Sequence, residues 1–469
     1  MSNPSTRRQF IKSSVLGVGA ALLGPSLSGC NRPAARPNVI FLLTDDQRWD
    51  TMGCMGNKLV HTPNMDALAA GGVLFTNAFV TTAICGASRA SILTGQYERR
   101  HGVRGFGPFS DEVNMQTYPM LLKSAGYRVG FIGKYGVENP PKDQYDYWDA
   151  TEWQPKYEHT DANGNYKHFT SLCGDEAIEF LDGCTPEQPF CLSVSFKAPH
   201  VQDTDPRQFI YDPAYKDMYK DVEFPVPETA GDEYFYGVFP EWFTKDNEAR
   251  RRWNMRFETP EHYQESVRGY HRLIYGVDVV IGRIRKHLEE LGQADNTVIM
   301  LMGDNGFYLA EHGMAGKWYG HEESIRVPLV VFDPRQPQAK RGQTREEMAL
   351  NIDMAPTILD LTGVTIPGRM QGQSLVPLLN GKSPQWRDEF FYEHRFARKP
   401  GEPVIPQSEG VVGKRYKYLR YIEYQPLFEE LYDLQNDPHE KHNLAKDPNY
   451  QELLQSLRTK CDDLRDKAV

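Results

Sequence analysis

Five short runs of largely apolar residues punctuate the chain: Asn38–Leu43, Val129–Gly133, Phe190–Phe196, Thr297–Met302 and Val327–Phe332. Their length and β-branched content predict strands buried on both faces. Between them lie stretches with helical spacing, over Met65–Ala70, Met120–Ala125, Gly174–Leu181 and Tyr270–Leu291. Strand alternating with helix predicts an α/β fold, a large, mostly parallel sheet sandwiched by helices. From about Arg369 the pattern changes. Glu389–His394, Gly410–Val412 and Tyr416–Tyr421 read as strands of a small antiparallel sheet. A turn-rich segment, Leu431–Pro438, and a helix over Gln451–Leu464 complete a C-terminal α+β subdomain.

The pattern divides the chain into an export signal (1–30), a Pro- and Ala-rich tether (31–37), a main domain (38–368) and the C-terminal subdomain (369–469). Asp203 to Arg256, rich in Pro, Tyr and acidic residues, reads as an insertion near a site mouth, and its aromatics, Tyr211 to Trp253, as a surface for stacking sugars. Thr6-Arg7-Arg8-Gln9-Phe10-Ile11-Lys12 resembles a twin-arginine export signal. The apolar stretch behind it, Ser13–Leu27, is too short for a membrane span. Leu27-Ser28-Gly29-Cys30 resembles a lipoprotein cleavage box, which would leave a lipidated Cys30 as the mature N-terminus; the plainer alternative is a signal peptide cut nearby. The expectation is an exported protein, periplasmic or on the cell surface. Its partners would include the twin-arginine export machinery, and a lipid anchor at Cys30 would be its contact with the membrane.

Net charge is −10, from 53 basic and 63 acidic side chains, which argues against a nucleic-acid partner. It also means that an anionic substrate needs a local cluster of cations to overcome the long-range field. The seven cysteines do not match a zinc pattern. Outside the cytoplasm one or two disulfides are expected among the five cysteines other than Cys30 and Cys85, with Cys173, Cys184 and Cys191 as the candidates.

Polar residues follow four of the five predicted strands, where parallel α/β sheets bind their ligands. Asp45-Asp46 follows the first and Asp304-Asn305 the fourth, a set of oxygen donors suited to a hard cation, Ca2+ or Mg2+. Taken alone, Asp45-Asp46 also suits the capping of a turn. Lys134 follows the second strand; Lys197 and His200 follow the third. Cys85 opens a predicted helix that ends at Gly95, where free N–H groups favour anions, and Arg89 lies one turn on. The plainer reading is a buried cysteine and a surface arginine.

The run Cys85-Gly86-Ala87-Ser88-Arg89, with Leu93-Thr94-Gly95 after it, is similar to the maturation signature of the type I, formylglycine-dependent sulfatases of the alkaline-phosphatase-like superfamily. Other segments resemble that family in order. They are Thr44–Gln47, Thr62–Asp66 with Leu68, Gly133-Lys134, Ala198-Pro199-His200, Gly303–Gly306 with Glu311-His312-Gly313 and Lys317, and Leu431–Leu434 with Asp437-Pro438 and Asn443. The bacterial carbohydrate and polysaccharide sulfatases are the most similar branch.

The resemblance implies hydrolysis of sulfate esters, with sulfated glycans as substrates, and oxidation of Cys85 to formylglycine. It implies a divalent cation, Ca2+ before Mg2+, held by Asp45, Asp46, Asp304, Asn305 and the modified Cys85. Arg89, Lys134 and Lys317 would neutralise sulfate, and a cationic His200 would protonate the leaving alcohol. Two positions depart from the pattern. Ala87 stands where proline is usual, which points to maturation by a radical-SAM enzyme. Gly136 stands where many relatives carry a histidine, and His101 is the candidate to fill that gap. Lys197, His312 and His321 are divided between pocket and surface, and Glu311-His312-Gly313 is expected to shape the loop behind the metal ligands. Three rivals remain: a phosphate or phosphonate monoester hydrolase on the same scaffold, a non-catalytic glycan-binding relative, and a transferase that passes sulfate to an acceptor other than water.

Overall fold

Residues Asn38–Asp45 form the central strand of the molecule, and both its faces are buried. Val39, Phe41 and Leu43 point into one core and Ile40 and Leu42 into another. This alternation across a fully covered sheet is why the run is apolar at every position rather than at every second one. The computed structural model describes residues 36–161 and 163–469. The predicted export signal, Cys30 and most of the tether therefore lie outside the described residues.

Among these, eight strands form the main sheet. In spatial order they are Gln343–Arg345, Val73–Phe75, Leu329–Phe332, Thr297–Gly303, Asn38–Asp45, Phe190–Pro199, Arg128–Lys134 and Tyr147–Thr151. The last five are mutually parallel. Leu329–Phe332, the fifth predicted strand, runs antiparallel to its neighbour Thr297–Gly303. Three strands have no signal in the apolar pattern: two are only three residues long, and Tyr147–Thr151 is a half-exposed edge.

Helices Pro63–Gly71, Phe169–Asp182 and Pro260–Glu290 cover one face of the sheet. Cys85–Thr94, Tyr118–Ser124 and Met354–Leu361 cover the other. The longest helix starts ten residues before the predicted Tyr270. Its start is set by Thr259, whose hydroxyl accepts the His262 N–H at 3.2 Å, and by Pro260 at the first helical position.

The C-terminal sheet is an antiparallel meander of four strands among the described residues: Glu389–His394, Ser408–Gly413, Tyr416–Tyr421 and Phe428–Asp433. The fourth occupies part of the segment whose sequence looked like turns. One meander face, with Phe391, Val411, Tyr418 and Leu431, packs on helix Gln451–Lys467. The other face, with Phe390, Tyr392, Val412 and Leu419, joins the main core, so residues Arg36–Val469 fold as one unit.

The expected disulfides do not form: the six cysteines among the described residues are free thiols. Cys173 and Cys191 lie in cores on opposite sides of the sheet. Cys184 is eleven residues along the chain from Cys173, roughly 16 Å at helical rise, beyond bridging distance. No helix among the described residues is long and apolar enough to cross a membrane.

Leu42 is almost fully buried in the central strand. Leu42→Ala is expected to destabilise the protein by about 2–5 kcal/mol, read as a lower midpoint at unchanged slope in denaturant unfolding.

Candidate active site

Strand register brings the functional residues together. Thr44 pairs with Gly303, so Asp45-Asp46 and Asp304-Asn305 leave adjacent strand ends side by side. Asp45 pairs with Pro199, which sets His200 beside Asp46. Gly133 pairs with Ser195, which ends the neighbouring strand at Lys134. The Asp304 N–H donates to the Thr44 carbonyl at 2.9 Å, locking the two acidic turns in step. Asp46 adopts φ 69°, a left-handed conformation uncommon outside glycine, held by the Tyr270 hydroxyl on its carbonyl at 2.7 Å.

The carboxylates are buried and so are their counter-charges. Lys134 Nζ donates to Asp45 Oδ2 at 2.5 Å, Gln154 Nε2 to the same oxygen at 3.2 Å, and Lys317 Nζ to Asp46 Oδ1. Arg89 Nε donates to Asp304 Oδ2 at 2.8 Å, while its Nη1 donates to the Lys134 carbonyl and the Ser195 hydroxyl. Asp304 Oδ1 accepts the Asp46 N–H at 3.1 Å. Asn305 Nδ2 donates to Asp46 Oδ1 at 2.6 Å, which turns its own Oδ1 the other way. Burial alone would raise the pKa of Asp45, but Lys134, His200, Arg89 and Lys317 hold it well below the usual carboxylate range. Asp304 moves the opposite way, raised by burial and by the Asp45 carboxylate.

Asp45 Oδ1, Asp46 Oδ2 and Asn305 Oδ1 are buried without a hydrogen-bond partner. Unpaired buried oxygens are costly, and three at one site call for a cation. Ligand atoms of Asp45, Asp46 and His200 lie within 4.8 Å of one another. The oxygen set is the better one for a hard cation, because His200 Nδ1–H donates to the Val201 carbonyl at 2.6 Å and its Nε2 sits 3.6 Å from Asp46 Oδ2. Asp304 touches the same group, but both its oxygens already hold Asp46 and Arg89 in place; each retains a second lone pair.

Cys85 is the first residue of helix Cys85–Thr94, which ends at a left-handed Gly95 as its sequence predicts. Burial raises the pKa of its thiol, and Lys134 and Lys317 only partly offset this. The unmodified thiol is therefore protonated and a weak nucleophile. Burial also pushes His200 down to about 4, with Lys317 adding to the shift, so its imidazole is neutral near pH 7 rather than cationic. The negative charge of a bound substrate acts in the restoring direction.

Gly136 has φ 79°, and a Cβ there would meet Arg89 Cδ at 2.5 Å. The stem of Arg89 occupies the room that a side chain at this position would need. His101 does not fill the gap: its Nε2 pairs with the Ser91 hydroxyl at 3.1 Å, inside the fold. Lys197, His312 and His321 are all buried and none lines the pocket. Lys197 lies 4.2 Å from the Tyr157 ring centre, and His312 stacks on His321, which faces Glu430. Glu311 accepts from Arg48 at 2.6 Å and from the Leu309 N–H at 2.6 Å, shaping the loop that leads to Lys317.

Cys85, Lys134, His200 and Lys317 open into a pocket of about 440 Å3. Its aromatic walls are Phe106, Trp153, Trp318 and Phe396. Most aromatics of the 203–256 insertion are instead used in packing: Phe209 and Phe224 join a core of the main sheet, and Phe235, Phe239 and Phe243 form a separate cluster with Trp318 and Tyr319, with Phe239 stacked on Phe243 at 4.1 Å and Phe243 against Tyr319 at 5.0 Å. That insertion reaches the pocket through Asp203 and Arg252. Ser195, Gln154 and Tyr270 also belong to the site and were not anticipated. Only Ser195, at a strand's carboxyl end, carried a signal that could have flagged it.

A family model described as Sulfatase matches residues 37–364. The chain belongs to the sulfatase family. It is a hydrolase of sulfuric esters. A second model, described as N-sulphoglucosamine sulphohydrolase, C-terminal, matches residues 310–467. The chain is 30% identical to an N-acetylglucosamine-6-O-sulfatase of Bacteroides thetaiotaomicron, over 96% of this chain and 92% of the relative. A solved structure described as a complex with its substrate D-glucosamine-2-N,6-O-disulfate superposes with a TM-score of 0.77 at 27% identity, covering 92% of this chain and 98% of that one. A phosphonate monoester hydrolase from Silicibacter pomeroyi gives a TM-score of 0.78 at 23% identity, over 92% of this chain and 96% of its own. At that identity it attests a common fold.

Gly136→Ala is expected to displace Arg89 and lower kcat about tenfold or more, with Tm falling by no more than a few degrees; steady-state kinetics and calorimetry check both.

Proposed function

We propose that this sulfatase releases sulfate from sulfated carbohydrates, with Cys85, oxidised to formylglycine, as its nucleophile. One observation carries the reading: Cys85 shares a single pocket with Lys134, Lys317 and His200, and these three side chains reach back to the buried Asp45 and Asp46 carboxylates, beside the buried guanidinium of Arg89. The named substrates of the similar proteins support an amino-sugar sulfate as the first class to test.

Asp45, Asp46 and Asn305, with Asp304 behind them, would hold a divalent cation; hard oxygen donors suit Ca2+ and Mg2+ alike, and the family resemblance favours Ca2+. Such a cation supplies Lewis acidity toward a sulfate oxygen and acidifies a coordinated hydroxyl. The formylglycine hydrate supplies an attacking hydroxyl and a second one whose deprotonation lets sulfate leave. The chain's own cations do the rest. Lys134 and Lys317 neutralise the ester's charge and the charge that builds as the S–O bond breaks. Arg89 fixes the nucleophile's helix against Asp304 and the Lys134 carbonyl. His200, anchored through Nδ1, presents Nε2 to the leaving oxygen once the anionic ester has raised its proton affinity.

Ala87 supports maturation by a radical-SAM enzyme in the cytosol, before export. The Arg7-Arg8 motif supports a twin-arginine route, and Leu27–Cys30 a lipid anchor at Cys30, which together would place the enzyme in the periplasm or on the cell surface.

Protein co-expressed with a radical-SAM maturase is expected to release sulfate from sulfated amino sugars, and to hydrolyse an aryl sulfate faster than the matched aryl phosphate. Cys85→Ala should lower turnover about a thousandfold or more. Ion chromatography of released sulfate reads both outcomes; undiminished release by Cys85→Ala would remove Cys85 from the mechanism.

A further inference from the structure

The pocket holds more cationic and aromatic surface than the removal of one sulfate requires. Lys134 and Lys317 are each committed to a carboxylate of the site. Arg252 is neutralised by Glu248 at 2.7 Å and Asp203 at 3.1 Å, and its guanidinium braces the Trp318 ring at 5.0 Å. Arg398 differs. It lines the same cavity, its Nε is buried without a hydrogen-bond partner, and its guanidinium donates to nothing among the described residues. Its nearest carboxylate, Glu402 Oε2, lies 3.3 Å away but off the hydrogen-bonding direction. Other acids at the mouth are already engaged, Glu152 by Lys142 at 2.8 Å and Asp203 by Arg252 and Arg256. A guanidinium with unused donors inside a pocket is suited to a planar or tetrahedral anion.

The aromatic residues add a second, independent feature. Trp153 is 59% exposed and Phe106 43%, both at the rim of this cavity. Phe106 is held edge-on against Phe396 at 5.6 Å, on the segment that also carries Arg398. Exposed large aromatics at a pocket mouth mark a binding face, and the C–H face of a sugar ring is apolar enough to cover one.

We propose that Arg398 and the Trp153 and Phe106 rings form a second anion subsite, so that the preferred substrate is a saccharide with a further acidic substituent, a second sulfate or a carboxylate, near the sulfate ester that is cleaved. The proposal rests on the sulfated-carbohydrate reading and narrows it. The Arg398 guanidinium binds the extra anion, and the rings take the face of the sugar that bears it.

Binding separates this subsite from turnover. Calorimetry on full-length Cys85→Ser protein in calcium buffer uses three probes: glucosamine 6-sulfate, glucosamine 2-N,6-O-disulfate, and a 6-sulfated glucosamine linked to glucuronate. At least one doubly charged probe should bind about tenfold or more tightly than the singly charged one, and which of the two does so identifies the second group as sulfate or carboxylate. Arg398→Ala in the same background should collapse that ratio toward one, and Arg398→Lys should restore part of it. Trp153→Ala should weaken both monosaccharide probes alike, leaving the ratio between them unchanged. Equal affinity for all probes in the parent protein, or a ratio untouched by Arg398→Ala, overturns the subsite. Failure of the matured enzyme to release sulfate from any sugar overturns the underlying function instead, and leaves the binding ratios to be read independently.

Discussion

Burying Asp45, Asp46 and Asp304 within one site carries a desolvation penalty of several kcal/mol per ion unless each charge is met. Arg89, Lys134 and Lys317 meet them, all three buried as well. This balance of three carboxylates and three cations is the constraint on which the rest of the molecule depends. It explains why the strand ends must stay in register, and why Ser195, Gln154 and Tyr270 direct their hydrogen bonds to residues of the site. A divalent cation among the unpaired oxygens would shift the balance to positive. The ammonium groups that now serve carboxylates would then serve an anionic ester. A protein of net charge −10 thereby keeps a local sink for a negatively charged substrate.

Much of this architecture is legible in the sequence because buried parallel strands leave uninterrupted apolar runs, and the residues just beyond them are polar for a reason. Asp45, Asp46, Lys134, His200, Asp304 and Asn305 are all found that way. Cys85 and Arg89 are legible as a helix start with an arginine one turn on, and their chemistry comes from the family signature. Other features left no such trace. Tyr147–Thr151 is an edge strand with alternating exposure, and Gln154 beyond it reaches Asp45 through a turn with no periodicity. Leu329–Phe332 has the same apolar pattern as the five parallel strands, since burial on both faces says nothing about direction. The disulfides expected outside the cytoplasm fail on geometry, because composition cannot report which side of a sheet a cysteine occupies.

The division of labour within the pocket follows from the same layout. Chemistry sits on rigid strand ends and one helix start. The outer wall comes from loops and from the segment carrying Phe396 and Arg398, where residues can change without disturbing the charge balance. The aromatic insertion shows the same economy: Phe235, Phe239 and Phe243 are consumed in holding it against Trp318 and Tyr319, leaving Arg252 and Asp203 as its contribution to the pocket.

The most direct test of the central claim is thermal unfolding of chelator-stripped protein with and without calcium, for the parent chain and for Asp46→Asn. Calcium at a hundredfold excess over its Kd should stabilise the parent chain by about 2.7 kcal/mol, seen as a rise in Tm of a few degrees. The variant, which loses a carboxylate with an unpaired oxygen, should show little or no shift at the same concentration. No shift in the parent chain, or an equal shift in both, would contradict a cation-organised centre at these strand ends.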